Sequence, residues 1–480
     1  MNSAPAETTR RVVSSERRTI GLGSALDALD HAVQAYADDG RSTAAGAVLR
    51  QARRDVACQM AGARGTLREG TEEARRILRM LHRLAAEGLL GLPTEAADLD
   101  LAGTMAESGW RARLGRILIV PCWQDPEPAS FAALPHWLWG AAAGWMFQTA
   151  AFYPAAGDQE RHVEIMQAGL EELFLWRERN AGSFAVREAF DAVAAHFQIG
   201  RLQGRGAFLR PLKELHARLI CCRNRPSKET YESVAFLRLG RPLRIGCILR
   251  GAGDGDEARA MMSLFAGLDG SRFELFVYTM AAPAAPVVQR LQGSPATLQV
   301  LSSRPLDQVE TLRGAGLDAV LFGLDRPALT DPVTHLAAFR VAPLQVVNDC
   351  GWGSTGLPEI DLCAMASTAE DAPPVAEFTE RLGLLPLTPR ASGDPLAWSL
   401  AWGGLIEAAY DSLADTDRTR FRASREPFIA GSAAEAARLT AEMTEHFQAE
   451  RFAEAAAAGR HLLGMEPTNL PARAMVGRAL

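Results

Sequence analysis

The 480-residue sequence predicts an α/β plus all-α protein: a helical region, one lobe built on a parallel sheet, then helices again. Three observations carry that expectation. Before about residue 235, apolar residues recur at three- and four-residue steps, the period of a helix with one buried face. From Arg241 the pattern switches to short continuous apolar runs alternating with helical segments, as in a parallel sheet whose strands are buried on both faces. After about residue 395 the helical period returns.

Residues 1–22 are rich in Ser, Thr and Arg, lack the apolar run of a secretory signal, and read as a disordered leader. Residues 23–235 read as an all-helical domain. ALDALDHAVQAYADDG stops at Gly40, TEEARRILRMLHRLAAEGLL keeps the same period, and further helices are expected over 135–149, 158–178, 184–198 and 205–222. GRILIVPCW (115–123) is short, apolar and β-branched, and reads as a strand or an extended connector. The stretch from Ser130 to Gly157 holds no Asp, Glu, Lys or Arg and is long enough to span a bilayer. Its Ala and Gly content, its polar His136 and Gln148, and Pro135 and Pro154 at its borders point instead to a buried helix. Trp137, Trp139, Trp145, Met146 and Phe147 should then lie in the core.

Residues 240–392 carry the sheet lobe, Rossmann-like in its alternation. Strands are expected at LRIGCIL, FELFVYTM, TLQVLS, DAVLFGL and APLQVVND, and helices at EARAMMSLFAGL, APVVQRLQG, PLDQVETLRGAG and DPVTHLAAFR. The sheet should span about 242–365, with helices on both faces. Residues 395–480 form a closing helical region. Within it, QAERFAEAAAAGRHLLGMEPTN looks like the second helix of a tetratricopeptide-type unit, with Phe452, Ala455 and Pro467 at that repeat's spacing. A lone unit cannot bury its own face, so a helical hairpin packed on the α/β lobe is expected.

A net charge of −6 without blocks of like charge gives no reason to expect nucleic acid or an anionic membrane surface as partner. The seven cysteines (58, 122, 221, 222, 247, 350 and 363) form no C-x-x-C pair and mostly sit in apolar runs. Free thiols and a reducing, cytoplasmic location are expected.

Two loops are candidates for ligand contact. RGAGDGDEAR (250–259) follows the first strand, but Asp256 occupies the third glycine position of a dinucleotide fingerprint. Asp254, Asp256 and Glu257 there would repel a pyrophosphate. CGWGSTGLPEID (350–361) follows a strand end, where ligands dock in open α/β sheets, and Gly353, Ser354, Thr355 and Gly356 could bind an anion or a hydroxyl. A purely structural turn with glycine at positive φ is the alternative. The histidines, His335 included, show no metal spacing, and no G-x-S-x-G elbow exists. No catalytic residue, metal or cofactor is therefore expected.

Three stretches resemble the family that contains O-GlcNAc transferase, the plant SPINDLY proteins and the bacterial adhesin glycosyltransferases. They are RPLRIGCIL…LDGSRFELFVYTM (241–280), APLQVVNDCGWGSTGLPEID (342–361) and FTERLGLLP (378–386). The second is the most specific, being close to the family's A-P-x-Q-V…G-T/S-T-G-L-P-x-I-D signature. The helical run ending LRPLKELHARLI also looks like the one preceding the family's catalytic lobes, so the resemblance covers about 115–390. The resemblance implies two Rossmann-like lobes, of which residues 240–392 would be the acceptor-side one. The donor-side lobe should begin just after FTERLGLLP, yet only about 90 residues follow and they read as helices. By the same resemblance, Gly255 stands where the family has a histidine, Asp325-Arg326 where it has Gly-His, and Asn348 where it has an aromatic.

The expectation is thus a degenerate glycosyltransferase-like protein, a non-catalytic binding or accessory subunit in protein glycosylation. It would have a protein partner, an acceptor or an active transferase, and a nucleotide sugar as possible ligand. Two alternatives stay open: an active protein glycosyltransferase whose donor site a partner chain completes, and a scaffold using its tetratricopeptide-like unit. Ligand contact is expected at Asp256, Asn348, Gly353, Ser354, Thr355 and Gly356.

Overall fold

The computed structural model describes residues 21–480 apart from 40–41, 63–66, 93, 106–108, 126–129, 150–152, 181, 200–201, 203–206, 225–240, 251–267, 283–295, 324–328, 330, 349–353, 368–373, 386–394, 416–420, 423–427, 430–442, 450, 466–475 and 477–480. The expected leader therefore lies outside the described residues but for Gly21 and Leu22, and so do the helices expected at 285–293 and, but for Leu268, at 257–268. The chain divides into two compact units, Met1–Arg201 and Leu202–Leu480.

The first unit is helical: α1 (Leu22–Asp38), α2 (Thr43–Gly62), α3 (Glu72–Ala86), α4 (Ala96–Thr104), α5 (Trp110–Ile119), α6 (Trp139–Phe147), α7 (Asp158–Arg179) and α8 (Phe184–His196). Local signals set their limits. Thr71 caps α3 by accepting from the Ala74 amide, with Glu72 and Glu73 in the first turn, where the helix dipole favours acids. The face Ala74, Ile77, Met80, Leu81, Leu84 and Ala85 is buried at the spacing that predicted it.

The buried helix expected over 135–149 is present but shorter: His136–Leu138 form a 3₁₀ turn ahead of α6. Every residue of α6 is buried, and Trp137 is nearly so. The indole nitrogens find partners: Trp145 donates to the Val120 carbonyl at 2.9 Å and Trp139 to Leu134 at 3.2 Å. Among the described residues no helix is long and apolar enough to cross a membrane.

GRILIVPCW requires correction. Its first half belongs to α5, Val120 is extended, and Cys122–Gln124 form a 3₁₀ turn. A short apolar run buried all round has no helical period to display, so β-branched content misleads. Close packing decides instead: a Cβ added at Gly115 would lie 3.2 Å from both the Ala57 carbonyl oxygen and Met105 Sδ, so glycine lets α2 and α5 approach.

The second unit opens with α9 (Arg210–Asn224) and is built on one sheet. Its strands are β1 (Leu243–Leu249), β2 (Phe273–Thr279), β3 (Thr297–Val300), β4 (Ala319–Phe322), β5 (Leu344–Asn348), β6 (Leu362–Ala366), β7 (Arg381–Leu385) and β8 (Phe428–Ile429). They run in the order β3-β2-β1-β4-β5-β6-β7-β8 and all pair in parallel. The chain thus reverses direction across the sheet between β1 and β4, the switch point of a doubly wound fold. The predicted parallel sheet is present and continues past residue 365 through β6, β7 and β8.

Alternate positions of each strand face one core. Leu243, Ile245, Cys247 and Leu249 of β1 join Phe273, Leu275 and Val277 of β2, Ala319 and Leu321 of β4, and Leu344 and Val346 of β5. Helix α12 (Pro395–Asp415) closes this face with Ala401, Trp402, Leu405, Ile406, Ala409, Tyr410 and Leu413. Between β3 and β5 run α10 (Pro305–Gly314) and α11 (Pro332–Ala337), which pack on each other and add nothing to this core. α9 packs on α11.

Among its described residues the closing region is mainly helical, with the short strand β8. Helical residues 443–448 and α13 (Phe452–Met465) make a hairpin at whose tip Phe447 and Phe452 meet edge to face, and α13 packs on α12. A Cβ added at Gly459 would meet Met443 at 3.0 Å. This is the hairpin on the α/β lobe that the sequence predicts.

Candidate functional site

The carboxyl rim at the switch point is where an open α/β sheet binds ligands. Arg250 directly follows β1 there, and its guanidinium makes a two-pronged pair with Asp331, Nε to Oδ1 at 2.8 Å and Nη2 to Oδ2 at 3.2 Å. Asp331 also caps α11, accepting from the Thr334 amide at 2.9 Å and hydroxyl at 2.6 Å. The pair therefore fixes the start of α11 against the end of β1. Asn348, the last residue of β5, stands half-buried on the same rim. His335 of α11 bonds the Leu329 carbonyl at 2.6 Å through Nε2, and α9, which carries His216, packs on α11. Burial, then the neighbouring His335, lowers His216 to about 3, so it is neutral at physiological pH.

The Gly-Ser-Thr-Gly turn lies elsewhere. Ser354 Oγ donates to Glu380 Oε2 at 2.6 Å, the Thr355 amide donates to Oε1 at 2.8 Å, and the Thr355 hydroxyl also donates to this carboxylate. Ser354 Oγ in turn accepts from the Gly356 and Thr379 amides at 3.1 Å. Glu380 immediately precedes β7, so these contacts sit at the amino edge of the sheet. The register places Asn348 beside Ala364 and Ala364 beside Gly383, three residues above Glu380. At a strand's rise that is about 10 Å along the strands.

The predicted ligand-contact set is therefore split. Asn348 is at the rim, while Ser354, Thr355 and Gly356 are buried at the opposite edge, where Ser354 and Thr355 hold Glu380. Asp256 and Gly353 lie outside the described residues, as do Gly255, Asp325 and Arg326. Gly356 has φ of 73°, and an added Cβ would strike the backbone of Lys213 in α9, 2.6 Å from its carbonyl carbon. The structural alternative for this glycine thus holds, since both its conformation and its closeness to α9 require it.

The rest of the A-P-x-Q-V…L-P-x-I-D stretch is a buried polar lock at the same amino edge. Arg340 pairs with Asp361 through Nη1 at 2.6 Å and Nη2 at 3.2 Å, and with Glu359 at 2.9 Å. The Gln345 backbone amide donates to Asp361 at 2.9 Å, and its side-chain Oε1 accepts from the Val341 amide at 2.7 Å. Arg422 adds a clasp, reaching the carbonyls of Leu357, Pro358 and Thr379. Sequence reading missed Glu380, Arg340 and Arg422, because each acts across tens of residues. A charged residue beside an apolar strand, as in TERLGLLP, was the available signal.

Among the described residues no group of three or more His, Cys, Asp or Glu could hold a metal ion. The six described cysteines are free thiols, and burial, helped by Glu359, pushes Cys221 up to about 11, away from thiolate reactivity.

No family model matches the chain, and no curated protein matches it. Among solved structures it is similar to a mutant of the Thermobaculum terrenum O-GlcNAc transferase, with a TM-score of 0.34 and 14% identity. The match covers 76% of this chain and 58% of that one. At that similarity nothing about activity, substrate or partner transfers to this chain.

Proposed function

We propose that the chain is a glycosyltransferase-like binding or accessory protein that does not itself transfer sugar and works with a protein partner. The carrying observation is the bonding of Ser354 and Thr355 to the buried carboxylate of Glu380. Transfer from a nucleotide sugar needs donors or cations aimed at a departing diphosphate. The most specific motif of the sequence directs its hydroxyls and the Thr355 amide to a carboxylate of the protein instead. The sequence adds an acidic loop at Asp254, Asp256 and Glu257, and by its resemblance to the glycosyltransferases Gly255 stands where they carry a histidine.

The test is thermal unfolding of the whole chain against a panel of nucleotide sugars, with a radiolabelled transfer assay in parallel. No transfer by the chain alone is the expected result; transfer by the chain alone would overturn the reading. Transfer only with a co-purified partner would favour the shared-site alternative. We place the protein in a reducing, cytoplasmic setting, in keeping with its free thiols.

A further inference from the structure

Register aligns four strand ends in one row on the carboxyl rim. Thr279 pairs with Leu249. One residue beyond the pairs Ile248–Phe322 and Phe322–Val347, Leu249 stands beside Gly323 and Gly323 beside Asn348. The Gly323 amide continues the ladder, donating to the Ile248 carbonyl at 3.2 Å. Each of these residues follows by two a member of the core under α12, namely Val277, Cys247, Leu321 and Val346. Strand alternation therefore puts all four on that same face. The row reads hydroxyl, isobutyl, bare backbone, amide.

One end of the row is chemically incomplete. Thr279 is fully buried, and its Oγ1 has no hydrogen-bond partner. A buried hydroxyl left unbonded is destabilising, and such groups in folded proteins call for a specific partner. At the other end the Asn348 side chain is half-buried and carries both a donor and an acceptor. The row itself holds no charge. Arg250 is one residue past Leu249, so it falls on the opposite face, and it pairs with Asp331.

We propose that this row binds an uncharged ligand with hydroxyl or amide groups at both ends and an apolar middle. The proposal rests on the binding-protein reading and adds to it the place and chemistry of the ligand. Three strand spacings separate Thr279 from Asn348, about 14 Å between backbones. One ligand end completes the Thr279 hydroxyl, the other meets the Asn348 amide, and its centre lies over Leu249 and Gly323.

The experiment is thermal unfolding of the full chain with glucose, maltose, N-acetylglucosamine, adenosine and uridine, alongside adenosine and uridine monophosphates. An uncharged probe is expected to raise Tm saturably, with no better binding by the phosphates. Thr279→Val should raise the ligand-free Tm, because it removes an unbonded buried hydroxyl, and should weaken half-saturation about tenfold. Asn348→Ala should weaken half-saturation without that ligand-free gain. Three results would each overturn the site: no uncharged probe acting, the phosphates binding more tightly, or Thr279→Val lowering the ligand-free Tm. Sugar transfer by the chain would sink the non-catalytic reading while leaving these binding outcomes to stand separately.

Discussion

Glu380 accepts a hydrogen bond from the Ser354 hydroxyl at 2.6 Å across 26 residues of chain, and this contact turns a motif that looks like a ligand loop into a strut. The carboxylate is buried at the foot of β7 and takes a second bond from the Thr355 amide at 2.8 Å. Glu380→Gln should lower stability by about 1–3 kcal/mol, since one oxygen becomes a donor facing other donors. Urea unfolding reads the change, and an unaltered midpoint would mean the turn does not depend on this acceptor.

Arg340 and Asp361 are both almost wholly buried, so removing one partner leaves an uncompensated charge. Arg340→Met should cost about 3–5 kcal/mol, and Arg340→Met with Asp361→Leu should recover part of that loss. A double variant no more stable than Arg340→Met would show that the pair is not the seat of the effect.

Gly356 combines a φ of 73° with close approach to Lys213. Gly356→Ala should destabilise by about 2 kcal/mol or more, above the cost of positive φ alone, because α9 must move. A loss below about 1 kcal/mol would place α9 farther from the turn.

His162 is buried in the helical unit, bonded to Tyr153 at 2.8 Å and to the Met146 carbonyl at 2.8 Å, and burial holds it down at about 4. The unfolded chain therefore takes up this proton first as pH falls. Stability is full above about 6.5 and declines as pH drops towards 4, by on the order of 3 kcal/mol from this group. His162→Gln should flatten that slope relative to the wild type, with His216 contributing equally to both. Parallel slopes between pH 7 and 4.5 would contradict the assignment.

The sheet was legible where strands are continuous apolar runs: LRIGCIL is buried on both faces from Ile245 to Leu249, and FELFVYT from Val277 to Thr279. β8 has two residues and no pattern to read, and Gly115 hid a helix inside a β-branched run. The site was legible only in part. Asn348 and Ser354 are six residues apart in sequence, which suggested one loop at one rim. Asn348 ends at the carboxyl rim while Ser354 sits at the amino edge, held there by Glu380 below β7, a tertiary contact with no local signature. The A-P-x-Q-V and L-P-x-I-D residues stood out as a motif, but Arg340, the cation that joins them, lies just outside it.

The most direct test of the central claim is a single-turnover assay of the purified chain with several radiolabelled nucleotide sugars and a pool of acceptor proteins. We predict no labelled acceptor above the protein-free blank and no hydrolysis of the donor, with the same result after Asn348→Ala. Labelled acceptor formed by the chain alone, and lost on Asn348→Ala, would contradict it.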